Sequence, residues 1–162
     1  MAPNLALISI PAYYVLCLAP HVYGVTLATS GDMSKHNNAN PRSTSYADKL
    51  KQTLGNEKYE TFERAEAAQK NGFENMPLYV AAVFAGLLVE TATLKGNVEK
   101  AGSGSTGLDR FVYGWFAARV LYSISYISFS SQPLCFLRTL FYSVGTALAF
   151  EQLYRAAVVL GS

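Results

Sequence analysis

Charge is scarce in this chain. Asp, Glu, Lys and Arg make up 15% of its 162 residues, against about 25% in an ordinary soluble domain. The charges nearly cancel, to a net +2, so no basic face or stripe is available for nucleic acid. Histidine is rarer still. His21 lies in an apolar run and His36 in a polar one, with no partner at ligand spacing, and no metal site is expected. Cys17 and Cys135 sit far apart in apolar runs, which excludes a disulfide framework and leaves both as small core hydrophobes. A charged leader is missing ahead of the first apolar run. That run is also longer than a signal h-region, so it reads as a span and not as a cleaved signal.

Apolar length is what the chain has instead. The hydrophobic fraction is 51%, and it is gathered into segments. Residues 5–28 carry no charge, and a helix rising about 1.5 Å per residue over that length crosses a hydrocarbon core of about 30 Å. Pro11 and Pro20 are tolerated in a helix whose neighbours re-satisfy the backbone. A polar loop follows over 29–61, with a short surface helix expected between Leu50 and Phe62. The second span covers 62–94. Its apolar centre, Met76 to Val89, is too short to cross alone, so the helix must extend upstream and carry Arg64, Asn71 and Glu74 with it. Lys95 to Gly107 is Gly/Ser-rich and reads as a flexible linker. The third span covers 108–129 and the fourth 134–159, joined by Ser130-Ser131-Gln132-Pro133. The expected fold is all-α: residues 1–162 form a single integral membrane four-helix bundle of up-and-down type. Basic residues are concentrated in the first loop, at Lys35, Arg42, Lys49, Lys51 and Lys58. The positive-inside bias puts that loop on the cytoplasmic side.

A charge at the centre of a spanning helix costs about 2.5–3.5 kcal/mol on insertion scales and normally faces a bundle interior or a wet cavity. At about 100° per residue the polar residues fall into register. Arg64, Asn71, Asn75 and Leu78 share one stripe with Glu74 at its edge; Trp115, Arg119, Tyr122 and Tyr126 share another; Arg138, Tyr142, Gly145 and Gln152 make a third. Three helices each offering one polar, aromatic-flanked face describe a pocket between helices. Blander readings stand beside it. Glu74 and Arg119 could neutralise one another across two helices. Arg138, near a helix start, could snorkel to the interface. Tyr113 and Tyr154 read as belt or packing residues.

The second helix, Glu63-Arg64-x-x-x-Ala68-Gln69-x-Asn71-x-x-Glu74-x-x-Pro77, resembles the signature of the MAPEG family, the membrane-associated proteins in eicosanoid and glutathione metabolism. Microsomal glutathione transferases, leukotriene C4 synthase and microsomal prostaglandin E synthase are members. Arg119-x-x-Tyr122-x-x-x-Tyr126 and Arg138-x-x-x-Tyr142 are similar to the family's second block. The resemblance implies a homotrimer in the endoplasmic reticulum, with glutathione as co-substrate between subunits near the cytoplasmic face and a lipophilic substrate entering from membrane lipid. It also implies roles. Asn71 and Glu74 hold the glutathione backbone and amine, and Arg64 approaches a carboxylate. Arg119, Tyr122 and Tyr126 belong to the same cofactor-binding set. Arg138 stands beside the sulfur, with Tyr142 lining the catalytic pocket. The residue types suit the ligand, because guanidinium forks take carboxylates and a nearby cation lowers a thiol's pKa. The activity implied is that of a glutathione transferase or peroxidase. A glutathione-independent isomerase or cyclase and a non-catalytic lipid-binding member are the alternatives. One position departs from the pattern: Ala67 stands where glutathione-using members carry an arginine four residues before the matched Asn71.

Overall fold

The computed structural model describes residues 4–41, 43–94 and 107–161. Arg42 and most of the Gly/Ser-rich connector, residues 95–106, lie outside the described residues. Every regular element among those described is helical.

The first helix, α1 (Leu5–Thr29), starts where the Asn4 side chain accepts from the Leu7 N–H at 3.0 Å, an N-cap that satisfies one of the free donors of the first turn. It runs through Pro11 and Pro20 and stops at Ser30, which has φ +52°. The Ser30 and Gly31 amides then close back on the Leu27 and Thr26 carbonyls, the usual left-handed termination of a helix. A single 3₁₀ turn follows, Met33–Lys35, capped by Asp32. Hydrogen bonds from the Ser34 hydroxyl and amide to Asp32 hold its carboxyl below the ordinary range.

The polar loop expected over 29–61 is largely helical. Ser43 caps α2 (Thr44–Leu54), which buries Tyr46 and Leu50 beside Ala28. The surface helix therefore lies upstream of the expected Leu50–Phe62, because Ser43 supplies its cap and Gly55, at φ +76°, ends it. The next helix, α3 (Asn56–Glu74), begins six residues ahead of residue 62. It meets α4 (Met76–Leu94) across the single residue Asn75. Pro77 has no N–H to give the carbonyl four residues back, and at this break the Asn75 side chain folds onto the preceding turn: Nδ2 donates to the Asn71 carbonyl at 2.7 Å, which the Asn75 backbone N–H also reaches. The last two helices are α5 (Leu108–Ser128) and α6 (Gln132–Leu160), the latter with Pro in its first turn.

Among the described residues three stretches are long and apolar enough to cross a membrane: Leu5–Thr29, Asn56–Thr93 and Gln132–Leu160. The remaining long helix, α5, is less apolar for a structural reason. It packs against α1, α3, α4 and α6, and so it carries Arg119, Trp115, Tyr122 and Ser125 buried on its inner side while Tyr113, Leu121 and Ile124 join the apolar exterior. Phe136, Tyr154, Val15 and Tyr113 are each more than 60% exposed, an apolar surface far too large for a water-soluble monomer.

The core is aromatic. Tyr79 stacks on Trp115 with centroids 5.1 Å apart, and Tyr13 meets both. The phenols are satisfied, Tyr13 donating to the Gly72 carbonyl at 3.0 Å and Tyr79 to the Ser9 hydroxyl at 2.5 Å, as buried tyrosines require. Gly72 lets α3 approach α1 so closely that an added Cβ would sit 2.9 Å from Cys17 Sγ. Gly72→Ala is therefore expected to destabilise the detergent-solubilised subunit by about 1–3 kcal/mol, the usual cost of overpacking. Adding Cys17→Ala should recover part of that loss in thermal unfolding. Simple additivity of the two substitutions would contradict the contact.

Candidate functional site

Five of the eight residues marked out in the sequence converge at one end of the α5–α6 pair. Arg119 projects from the middle of α5 and is 2% exposed. Its Nη2 donates to Asn75 Oδ1 at 3.0 Å. Its guanidinium carbon lies 4.3 Å from the Trp115 ring centre, 5.1 Å from that of Tyr142 and 5.9 Å from that of Tyr122, distances at which a cation is held by ring quadrupoles. Gly145 makes room on α6: a Cβ there would stand 3.4 Å from Nε and Nη2. Further along, Tyr122 touches Tyr126 and Tyr142, with centroids 5.4 and 6.1 Å apart.

Arg138 closes this row. Its guanidinium carbon lies 4.4 Å from the centre of the Tyr126 ring. Its Nη2 donates to the Phe129 carbonyl, at the end of α5, while Nε is buried without an acceptor. The short turn 129–131 folds α6 back on α5, and that places the guanidinium over the phenols.

Arg64 reaches the same end of the molecule from α3. Nε donates to the Ile127 carbonyl at 3.1 Å and Nη2 to the Thr61 hydroxyl at 2.8 Å, with Glu60 at 3.8 Å from Nη1. Much of its fork is thus occupied in the subunit, tying α3 to the C-terminal end of α5, where a cation is favoured.

Two residues stand apart. Glu74 is exposed and its nearest cation is Lys70, at 3.9 Å. The expected Glu74–Arg119 neutralisation is not made, because the break between α3 and α4 turns Asn75 inward and leaves Glu74 on the outer face. Asn71 is half-buried, and its backbone carbonyl, not its side chain, takes part in the Asn75 lock. Within the chain, then, the ring and cation contacts that join the tyrosines to Arg119 and Arg138 do not include the side chains of Asn71 and Glu74.

Asn75 is the residue that sequence reasoning placed on the right stripe without giving it a role. The signal was there in an amide just ahead of Met-Pro, where a helix must break and a free side chain can serve both halves. The His21–Glu66 pair, 2.6 Å between Nδ1 and Oε1, had no such signal. It joins α1 to α3 across 45 residues, a proximity that only the tertiary fold creates.

The model of the MAPEG family matches residues 7–158, nearly the whole chain. No match was found among curated proteins or among solved structures.

Removing the Arg64 fork should loosen this end of the bundle. Arg64→Gln is expected to cost about 1.5–3 kcal/mol, the worth of a hydrogen bond from a charged group, in thermal unfolding in detergent. A melting temperature equal to that of the parent would show that the Ile127 contact carries no load.

Proposed function

The chain belongs to the MAPEG family, and from that premise we propose that it is a membrane-bound glutathione transferase or peroxidase acting on lipophilic electrophiles. The observation that carries the proposal is Arg138, a guanidinium set over a phenol with its buried Nε lacking an acceptor. An arginine cannot deprotonate under these conditions, so its orphaned N–H asks for an anion. A thiolate is the anion that family membership supplies.

In this reading four transmembrane helices, α1, α3 with α4, α5 and α6, form each subunit of a homotrimer in the endoplasmic reticulum. The long first loop is cytoplasmic. Arg138 holds the glutathione sulfur as thiolate, and Tyr126, Tyr122 and Tyr142 wall the pocket against Arg119. The sulfur attacks an electrophilic carbon; a C–S bond forms and the bond to the leaving atom breaks, its electron pair going to that atom. Where the substrate is a hydroperoxide, the thiolate instead attacks the distal oxygen: an S–O bond forms, the O–O bond breaks with its electron pair on the proximal oxygen, and that oxygen leaves as the alkoxide and is protonated to the alcohol. A second glutathione then reduces the sulfenic product, giving disulfide and water. The outward Glu74 and half-buried Asn71 suit a site completed by a neighbouring subunit, with glutathione laid against the outer face of α3.

A second reading rests on Ala67 together with the occupied fork of Arg64. Both remove cations that would otherwise meet glutathione carboxylates, and they favour a glutathione-independent isomerase or cyclase on the same scaffold. A non-catalytic lipid-binding role shares that feature.

Equilibrium binding of glutathione with a thiolate difference spectrum near neutral pH separates these readings. The transferase binds glutathione and shows a thiolate signal that Arg138→Ala abolishes, together with turnover. Ala67→Arg should tighten binding about tenfold or more, by adding one charge-assisted hydrogen bond. No binding at millimolar glutathione, with Ala67→Arg equally silent, would exclude the transferase.

A further inference from the structure

Arg119 is a buried cation without a counter-charge. It sits at 2% exposure and its one protein acceptor is the neutral Asn75 amide oxygen. Nε and Nη1 have no acceptor, and neither has the buried indole N–H of Trp115 beside them. Among the described residues no carboxylate forms an ion pair with it: Glu66 is engaged with His21, Glu74 with Lys70 and Glu60 with Arg64. A guanidinium neither loses its proton nor accepts a hydrogen bond. An uncompensated charge at membrane depth is costly enough that such residues pair or face a wet cavity.

A cavity is present. Arg119 lines a narrow cleft between α1, α3 and α5 together with Tyr13, Cys17, Gly72 and Tyr122. Of these, only Arg119 and Tyr122 also belong to the row that ends at Arg138. We infer that this cleft binds a monatomic, monovalent anion of the halide class on the edge of the Arg119 guanidinium. The charge and the orphaned donors call for an anion. The walls favour a small ion: α1 and α3 are so close here that one methyl group on Gly72 would stand 2.9 Å from Cys17 Sγ. Trp115 and Gly145 press on the guanidinium as well, leaving little but its edge for the ion. The cleft shares Arg119 and Tyr122 with the proposed glutathione pocket, but Tyr13, Cys17 and Gly72 belong to the cleft alone and Arg138 takes no part in it.

The chain has a single tryptophan, Trp115, and it touches the guanidinium, so iodide serves as both ligand and quencher. Protein in detergent and halide-free gluconate buffer is titrated with iodide. The expected result is a saturable loss of Trp115 fluorescence that chloride reverses and that saturating glutathione leaves in place. Arg119→Gln should weaken the saturable phase about tenfold or more, leaving shallow linear quenching. If Arg119→Gln does not fold, Cys17→Met adds bulk to the cleft, keeps the guanidinium and should also remove the saturable phase. Linear quenching of the same slope in parent and variants, or a saturable phase indifferent to chloride, would overturn the site. Displacement of iodide by glutathione would overturn it too, by moving the ion to the Arg138 pocket.

Discussion

Arg119 brings a permanent positive charge into the interior of the bundle, and the packing of the helices around it can be followed outward from it. Its one acceptor among the described residues, Asn75, stands where α3 gives way to α4. The charge on α5 is therefore answered by the polar group that a proline-induced break sets free. Its ring contacts come from Trp115 on its own helix and Tyr142 on α6, and α6 reaches it because residue 145 has no side chain. A longer side chain at 145, or an unbroken α3–α4 helix, would separate the guanidinium from the groups that hold it.

The same constraint orders the candidate site. With Arg119 fixed, Tyr142 and Tyr122 are fixed against it, and Tyr126 and Arg138 follow through ring and cation contacts. Arg138 is further restrained because one of its donors closes on the end of α5 at Phe129. The row of phenols and cations thus rests on helices and not on loops, the rigid support that the proposed site requires. By contrast, the groups on the outer face of α3, Glu74 and Asn71, are not held by this network. Their chemistry depends on what lies against that face.

Much of this was legible in the chain. Apolar length gave α1 and α6, and helical phase put Arg119, Tyr122 and Tyr126 on one side of α5 and Tyr142 on the polar stripe of α6. The upstream extension of the second span followed from an apolar centre too short to cross a membrane. What could not be read depends on breaks and on long-range contacts. Glu74 and Asn75 are adjacent in sequence, and which of them turns inward is decided by the local geometry at Asn75, not by a helical period carried across it. The Ser43 and Gly55 signals that bound α2 are visible in retrospect, but they lay within a stretch whose polarity suggested a loop. The His21–Glu66 contact left no local trace at all.

The central claim is that Asn75 and Arg119 act as one unit joining the α3–α4 break to α5. A double-mutant cycle on thermal or denaturant unfolding in detergent, using Asn75→Leu, Arg119→Met and the pair, measures it directly. The account predicts a coupling energy of about 1.5–3 kcal/mol, in the range for a hydrogen bond from a charged donor. Effects that simply add, within about 0.5 kcal/mol, would contradict it.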